Sequence, residues 1–284
     1  IQAEFDNVTS FASDFRVDVT AHRPGFRDCD VTNARAIGGA GQWPFRLLGY
    51  RPRVVNCSVE GGNRDAILMG GVGEEVIDFA ASGCRYVARV TTDGQSGTRE
   101  KTIRGLDVSD CERILDITSA SGESVTLTDV CGDADELVRA AASNVSVVFD
   151  LGGSTIEVSA DSALNGIDSF HLRNGEIDMG GASDNLFEDF TGGTIGELVV
   201  SGVTFSNVGT HVFNVNSEVA KGRVSDVGTE SVGSRLINND VDASTWTLSG
   251  VDASGSSDGY AFGTNADVFA DGATLDETGS VATF

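Results

Sequence analysis

Phe26 to Asn33 (FRDCDVTN), Val54 to Gly61 (VVNCSVEG), Ile103 to Asp110 (IRGLDVSD) and Ile167 to Asn174 (IDSFHLRN) share one frame. Each runs apolar, two variable residues, apolar, one variable residue, apolar, one variable residue, then Asn, Gly or Asp. Carried along the chain, the frame begins at Phe26, Val54, Val76, Ile103, Val125, Val145, Ile167, Ile195, Val219 and Ala243. Its eighth position reads Asn33, Gly61, Gly83, Asp110, Gly132, Gly152, Asn174, Gly202, Asp226 and Gly250. These residue types tolerate the left-handed backbone that a tight turn requires. The shortest steps between first positions set a core repeat of about 22 residues, with insertions absorbed at loops.

A repeat of this kind predicts a solenoid. Alternate residues of a strand point in and out. One coil cannot bury its apolar face alone, so neighbours stack at about 4.8 Å and share a core. A second strand is expected after most turns, at Ala66 to Leu68, Tyr86 to Val90, Ile114 to Ile117, Thr155 to Val158, His211 to Val215 and Arg235 to Ile237. Composition agrees: 36 Gly and only 3 Pro in 284 residues suit many tight turns between short strands.

Asp184-Asn185-Leu186-Phe187-Glu188-Asp189-Phe190 and Val203-Thr204-Phe205-Ser206-Asn207-Val208 are coils of the same type. Over about Phe26 to Gly250 the chain resembles the right-handed parallel β-helix family of pectate lyases, polygalacturonases and viral tail spikes. The resemblance implies an all-β, right-handed single-stranded parallel β-helix of about ten to twelve coils. Residues 1–25 would form a cap or degenerate coil, 26–250 the β-helix, and 251–284 a degenerate coil, cap or linker. Leucine-rich and left-handed hexapeptide solenoids fit worse, because their consensus and strict period are missing.

The formal charge of −24 excludes a nucleic-acid binder working through its general field, since phosphate contacts need clustered Lys and Arg. No apolar run is long enough to span a bilayer as a helix. Lysine occurs only at Lys101 and Lys221, and Asp outnumbers Glu by 28 to 15. Such surfaces resemble those of proteins from halophiles, including archaea, where salt screens self-repulsion. Ile1 to Phe11 lacks the pattern of a signal peptide, so a processed product or fragment is expected. Sequons at Asn7, Asn56 and Asn144 fit an extracytoplasmic chain.

Cys29 and Cys57 share the fourth position of consecutive coils, and Cys84 and Cys111 share the ninth position of the next two. Stacked in register, either pair comes within disulfide reach; a ladder of buried thiols is the alternative. Cys131 is left over.

The fifth position faces outward and reads Asp30, Ser58, Ala80, Asp107, Asp129, Phe149, His171, Val199, Arg223 and Thr247. Asp107 and Asp129 fall on consecutive coils, which predicts carboxylates about 5 Å apart. That separation suits a retaining glycosidase or a Ca²⁺ ion, the one cofactor the sequence admits. His171, with Arg173 and Arg223 as binding residues, would extend the constellation toward an anionic sugar. Solvated acidic ladders are the competing reading in a chain with 28 Asp. Asp150 occupies a sixth position that is otherwise apolar, which predicts a one-residue register slip at Phe149.

The enzyme signatures of the resembled family are incomplete. Gly209-Thr210-His211 and Asn238-Asn239-Asp240 echo polygalacturonase elements, but neither Arg-Ile-Lys nor Asp-Asp occurs. His22-Arg23-Pro24-Gly25-Phe26-Arg27 lacks the first arginine of the pectate-lyase element. The expectation is a non-catalytic spike, fibre or surface-attachment module at the cell surface or on a virion. It would bind cell-surface glycan or protein, as a homo-oligomer such as a trimer or within a larger assembly. The alternative is a secreted polysaccharide lyase or glycoside hydrolase.

Overall fold

A computed structural model describes residues 4–6, 9–11, 25–32, 44–62, 65–91, 100–119, 122–141, 144–182, 184–188, 193–239, 241–262 and 265–271. They divide into two units, Ile1–Arg139 and Ala140–Phe284. Both are all-β, without helix among the described residues, and both are parallel β-solenoid. The described coils number about nine, slightly below the ten to twelve expected. Much of residues 1–25 and 272–284 lies outside the described residues. Paired strands occur on both sides of the expected β-helix limits: Glu4–Asp6 pairs with Gly25–Arg27, and Asp267–Asp271 with Thr245–Ser249.

In the first unit the register follows the sequence frame. Phe26 pairs with Val54, Val54 with Val76, and Val76 with Ile103. Five residues further on, Val31, Val59, Ala81 and Val108 form a second row. A third parallel ladder joins Phe45–Leu47, Ile67–Met69 and Tyr86–Thr91. Phe26, Val54, Val76 and Ile103 are buried, as apolar residues facing a shared core should be.

Between first and fourth positions the chain bends sharply. Asp28, Asn56, Asp78 and Gly105 stand at the third position of successive coils, all with φ between 49° and 64°. The eighth position is left-handed too, at Gly61, Gly83 and Asp110 in this unit and Gly152, Asn174, Gly202, Asp226 and Gly250 in the second. In the first unit, two left-handed residues per coil therefore bend a strand that stays continuous, as in Arg53–Gly62 and Glu75–Cys84.

The second unit repeats the plan. Val147, Phe170, Leu198, Gly222 and Trp246 pair in sequence along one ladder. Ile156, Ile177, Phe205 and Thr229 form the second ladder. Ser162, Phe187, Phe213, Ile237 and Tyr260 form the third. Phe149, Phe170, Phe187, Phe213 and Phe205 make a chain of ring contacts 5.0–6.2 Å between centroids, through the core.

The slip expected at Phe149 is present. Phe149 pairs with Leu172 and is fully buried, while Asp150 pairs with Arg173 and stays half-exposed. A one-residue shift exchanges inward and outward faces, and it spares the fold a buried carboxylate. A second departure was not expected. In Ser124–Ala140, Leu127 and Val130 are buried whereas Thr128 is half-exposed. Asp129, with φ 56°, takes the left-handed bend there.

All five cysteines are thiols. Consecutive coils stack them as the pattern places them: Cys57 Sγ lies 3.4 Å from the Cys29 amide, and Cys111 Sγ 3.4 Å from the Cys84 amide. Burial pushes the Cys57 thiol up to about 12, so it stays protonated and unreactive at neutral pH.

Candidate functional site

The residues singled out in the sequence fall in both units. In the first, Asp107 is exposed and pairs with Ala80, which pairs with Ser58, as the frame requires. Asp107, Asn56, Ser58, Asp78 and Gly105 border a shallow groove of about 270 Å³. Asp78 is held over Gly105 so closely that a Cβ on Gly105 would stand 2.6 Å from its Oδ1.

Asp129 does not join Asp107 as expected. Because Asp129 is drawn into the bend, Cys131 takes the place over Asp107, with Sγ 4.0 Å from Asp107 Oδ1 and 3.7 Å from the Leu106 carbonyl. Burial and the Asp107 carboxylate both push the Cys131 thiol up. At the place that the frame gives to Asp129 over Asp107, the structure has a carboxylate–thiol contact. Among the described residues no three His, Cys, Asp or Glu side chains group as a metal site.

In the second unit, His171 Nε2 lies 3.5 Å from Glu197 Oε2, an electrostatic contact outside hydrogen-bond geometry. Lys221 Nζ is 2.7 Å from Glu197 Oε1 and holds that carboxyl below its ordinary range. Arg173 Nε reaches Asp150 Oδ2 at 2.9 Å, and Asn174 Nδ2 donates to Asp150 Oδ1 at 3.0 Å. Arg223 lies exposed along the His171 row, one coil beyond Val199. Among the described residues, His171, Arg173 and Lys221 are each met by an acid of a neighbouring coil.

A denser constellation lies on the third ladder of the second unit. Phe187–Glu188, Phe213–Asn214 and Arg235–Asn239 are paired so that Glu188, Asn214 and Asn238 form one row at one-coil spacing. Their buried neighbours Phe187, Phe213 and Ile237 anchor the row from inside. Asn238 Nδ2 donates to Asn214 Oδ1 at 2.7 Å, and Asn214 Nδ2 approaches Glu188 Oε1 at 3.5 Å. Asn185 Nδ2 donates to Glu188 Oε2 at 3.3 Å, while its Oδ1 accepts from the Thr210 hydroxyl at 2.6 Å and the His211 amide at 3.2 Å.

Asp161, just before Ser162–Leu164, lies beside Glu188 and completes the group. Burial, the neighbouring Glu188 carboxyl and the Asp184 charge push the Asp161 carboxyl up to about 7. Burial, followed by the Arg235 charge, lowers His211, so its imidazole is neutral at pH 7. Asp161 Oδ1 and His211 Nδ1 are both buried atoms with no hydrogen-bond partner among the described residues. A carboxyl poised between acid and base beside a carboxylate, with a neutral imidazole near, has the parts for proton transfer or for binding hydroxyl groups.

Asp161 also carries a pH signature. Its folded value lies above the ordinary 3.8, so the folded state holds a proton that the unfolded chain releases. That contribution to stability is complete below 3.8 and is lost as pH rises through about 7. Asp161→Asn is expected to flatten this dependence. Thermal midpoints taken at about pH 5 and about pH 8 should fall in wild type and converge in the variant. An equal fall in both proteins would remove Asp161 as its source.

Sequence reasoning passed over this group because its members sit at the third ladder, outside the eight-residue frame. The repeated polar residue after each apolar anchor, in Phe187-Glu188, Phe213-Asn214 and Ile237-Asn238, was the available signal. No family model, curated protein or solved structure matches the chain.

Proposed function

We propose that this chain is an extracytoplasmic attachment module of a halophile or its virus that binds a cell-surface glycan. The observation that carries the reading is the row Glu188, Asn214 and Asn238. It presents a carboxylate and two amides at the spacing of successive coils, half-exposed, with Asn185 and Thr210 beside them. Amides and carboxylates in a fixed row offer alternating donors and acceptors to sugar hydroxyls, and a solenoid supplies such rows without further design. The Asp-rich, Lys-poor composition supports a saline setting.

The test is binding to immobilised polysaccharides in high salt. Asn214→Ala with Asn238→Ala is expected to weaken binding by about tenfold or more, the worth of one or two well-made hydrogen bonds. Unchanged binding by a folded double variant would refute this surface. A second reading, a glycoside hydrolase, rests on Asp161 and Glu188 as neighbouring carboxyl groups, with Asp161 pushed up to about 7. Release of reducing ends that disappears with Glu188→Gln would replace the first reading by the second.

A further inference from the structure

Glu74, Lys101 and Glu123 occur in three successive coils of the first unit, each immediately before or close to a buried first-row residue: Val76, Ile103 and Val125. All three side chains are buried, with exposures of 0%, 0% and 2%. Lys101 Nζ lies 3.0 and 3.2 Å from the two oxygens of Glu74, 3.1 Å from Glu123 Oε2, and donates to the Gly71 carbonyl at 3.0 Å. The Gly71 amide also donates to Glu74 Oε1.

One amine between two carboxyls in a dry core leaves an excess negative charge if both acids ionise, and burial makes that costly. Burial raises the Glu74 carboxyl above its ordinary value, although Lys101 pulls the other way. The site therefore holds one amine nitrogen and two carboxyl groups in direct contact, shielded from water. Those are the ingredients of amide formation, and close confinement supplies the effective concentration that an uncatalysed acid and amine lack in solution.

We infer that Lys101 and Glu123 condense to an intramolecular isopeptide bond that ties two adjacent coils together. Glu74 is the proton relay: the ammonium donates to both of its oxygens, at 3.0 and 3.2 Å, while Glu123 Oε2 stands 3.1 Å from the same nitrogen. A proton passes from the ammonium to the Glu123 carboxylate, leaving a neutral amine beside a carboxylic acid. The nitrogen lone pair attacks Glu123 Cδ, forming the C–N bond and a tetrahedral centre. Glu74 accepts the second proton from nitrogen and delivers one to the departing hydroxyl. The C–O bond breaks and one water leaves. Glu74 ends as it began, and no atom changes oxidation state.

The deciding experiment is the intact mass of the folded, purified chain, taken under denaturing conditions. The expected mass is that of the sequence less one water, and a denatured digest should yield the Lys101 peptide joined to the Glu123 peptide. The full sequence mass in folded protein overturns the inference, and a junction at Glu74 overturns the choice of partner. Lys101→Arg keeps the charge but cannot form this amide, so it should show the full mass. A water loss that persists in that variant places the reaction elsewhere. Glu74→Gln should slow the water loss by orders of magnitude, and an unchanged rate would remove Glu74 as relay.

Discussion

Replacing Arg113 by methionine is expected to lower the unfolding free energy by about 3–5 kcal/mol, the cost of stripping one partner from a buried ion pair. Arg113 is 1% exposed, and its guanidinium is engaged on every side. Glu136 accepts from Nε at 2.7 Å and from Nη2 at 2.8 Å, and Asp116 accepts from Nη1 at 2.8 Å. The Tyr86 ring, one coil below, lies 4.5 Å from the guanidinium carbon. Burial alone would lower the Arg113 value, but Glu136 and Tyr86 outweigh it and hold it above the ordinary one. Arg89 and Arg139 share the same acids at 3.8 and 2.9 Å, which extends the pair into a lattice across three coils.

Methionine fills much of the arginine volume, so the loss isolates the charge from the packing. Arg113→Lys keeps the charge but not the fork, and should fall between methionine and wild type. Adding Glu136→Gln to Arg113→Met should recover part of the loss, because one of the two carboxylates that lose Arg113 is then neutral. Denaturant midpoints at fixed high salt give these differences, provided that the slope is unchanged. A cost below about 1 kcal/mol for Arg113→Met would mean that water reaches the acids, and would rank the lattice with surface ion pairs.

The second large effect is expected at Trp246. Its side chain is fully buried, and its ring covers Gly222 of the preceding coil. A Cβ on Gly222 would lie 2.3 Å from Trp246 Cε3 and 2.5 Å from Cδ2. Trp246→Ala should cost about 3–5 kcal/mol, combining lost apolar burial with the cavity left behind. Gly222→Val alone should also destabilise, since the ring has nowhere to move in a close-packed interior. Combining Gly222→Val with Trp246→Leu exchanges small–large for medium–medium and should be milder than the sum of the single changes. Strict additivity would show that the two side chains do not compete for one space.

Trp246 also satisfies a polar residue. Its Nε1–H donates to Asn239 Oδ1 at 3.0 Å, and Asn239 Nδ2 donates to the carbonyls of Val215 and Ser217 at 2.8 and 2.9 Å. Asn239 is fully buried, so Trp246→Phe strands its oxygen at a cost of about 1–3 kcal/mol beyond the packing change. The glycine at the fourth position, which interrupts an otherwise mostly apolar row, thus has a partner-specific cause.

The architecture was legible because its signal is periodic. Apolar residues at the first, fourth and sixth positions, closed by Gly, Asn or Asp, leave few foldings other than stacked coils with a left-handed bend. The slip at Asp150 could be read as well, since burying an unpaired carboxylate costs more than shifting a strand. The slip in Ser124–Ala140 could not be read from the frame. Thr128 and Leu127 are both tolerable inward, and only the bend at Asp129 decides between them. That one choice separates Asp129 from Asp107 and puts Cys131 in its place.

By itself, the amino-acid sequence determined the coil, its turn residues and the acidic surface, because these depend on local backbone preference and on composition. It could not determine which side chains meet. Contacts between coils join residues 20 to 30 positions apart, and insertions of unequal length reset the register each time. Tertiary structure alone brought Asp161 to Glu188, Arg113 to Glu136, and Lys101 between two buried glutamates. In each case the deciding quantity is the removal of charge from water, which the folded environment sets and no local pattern encodes.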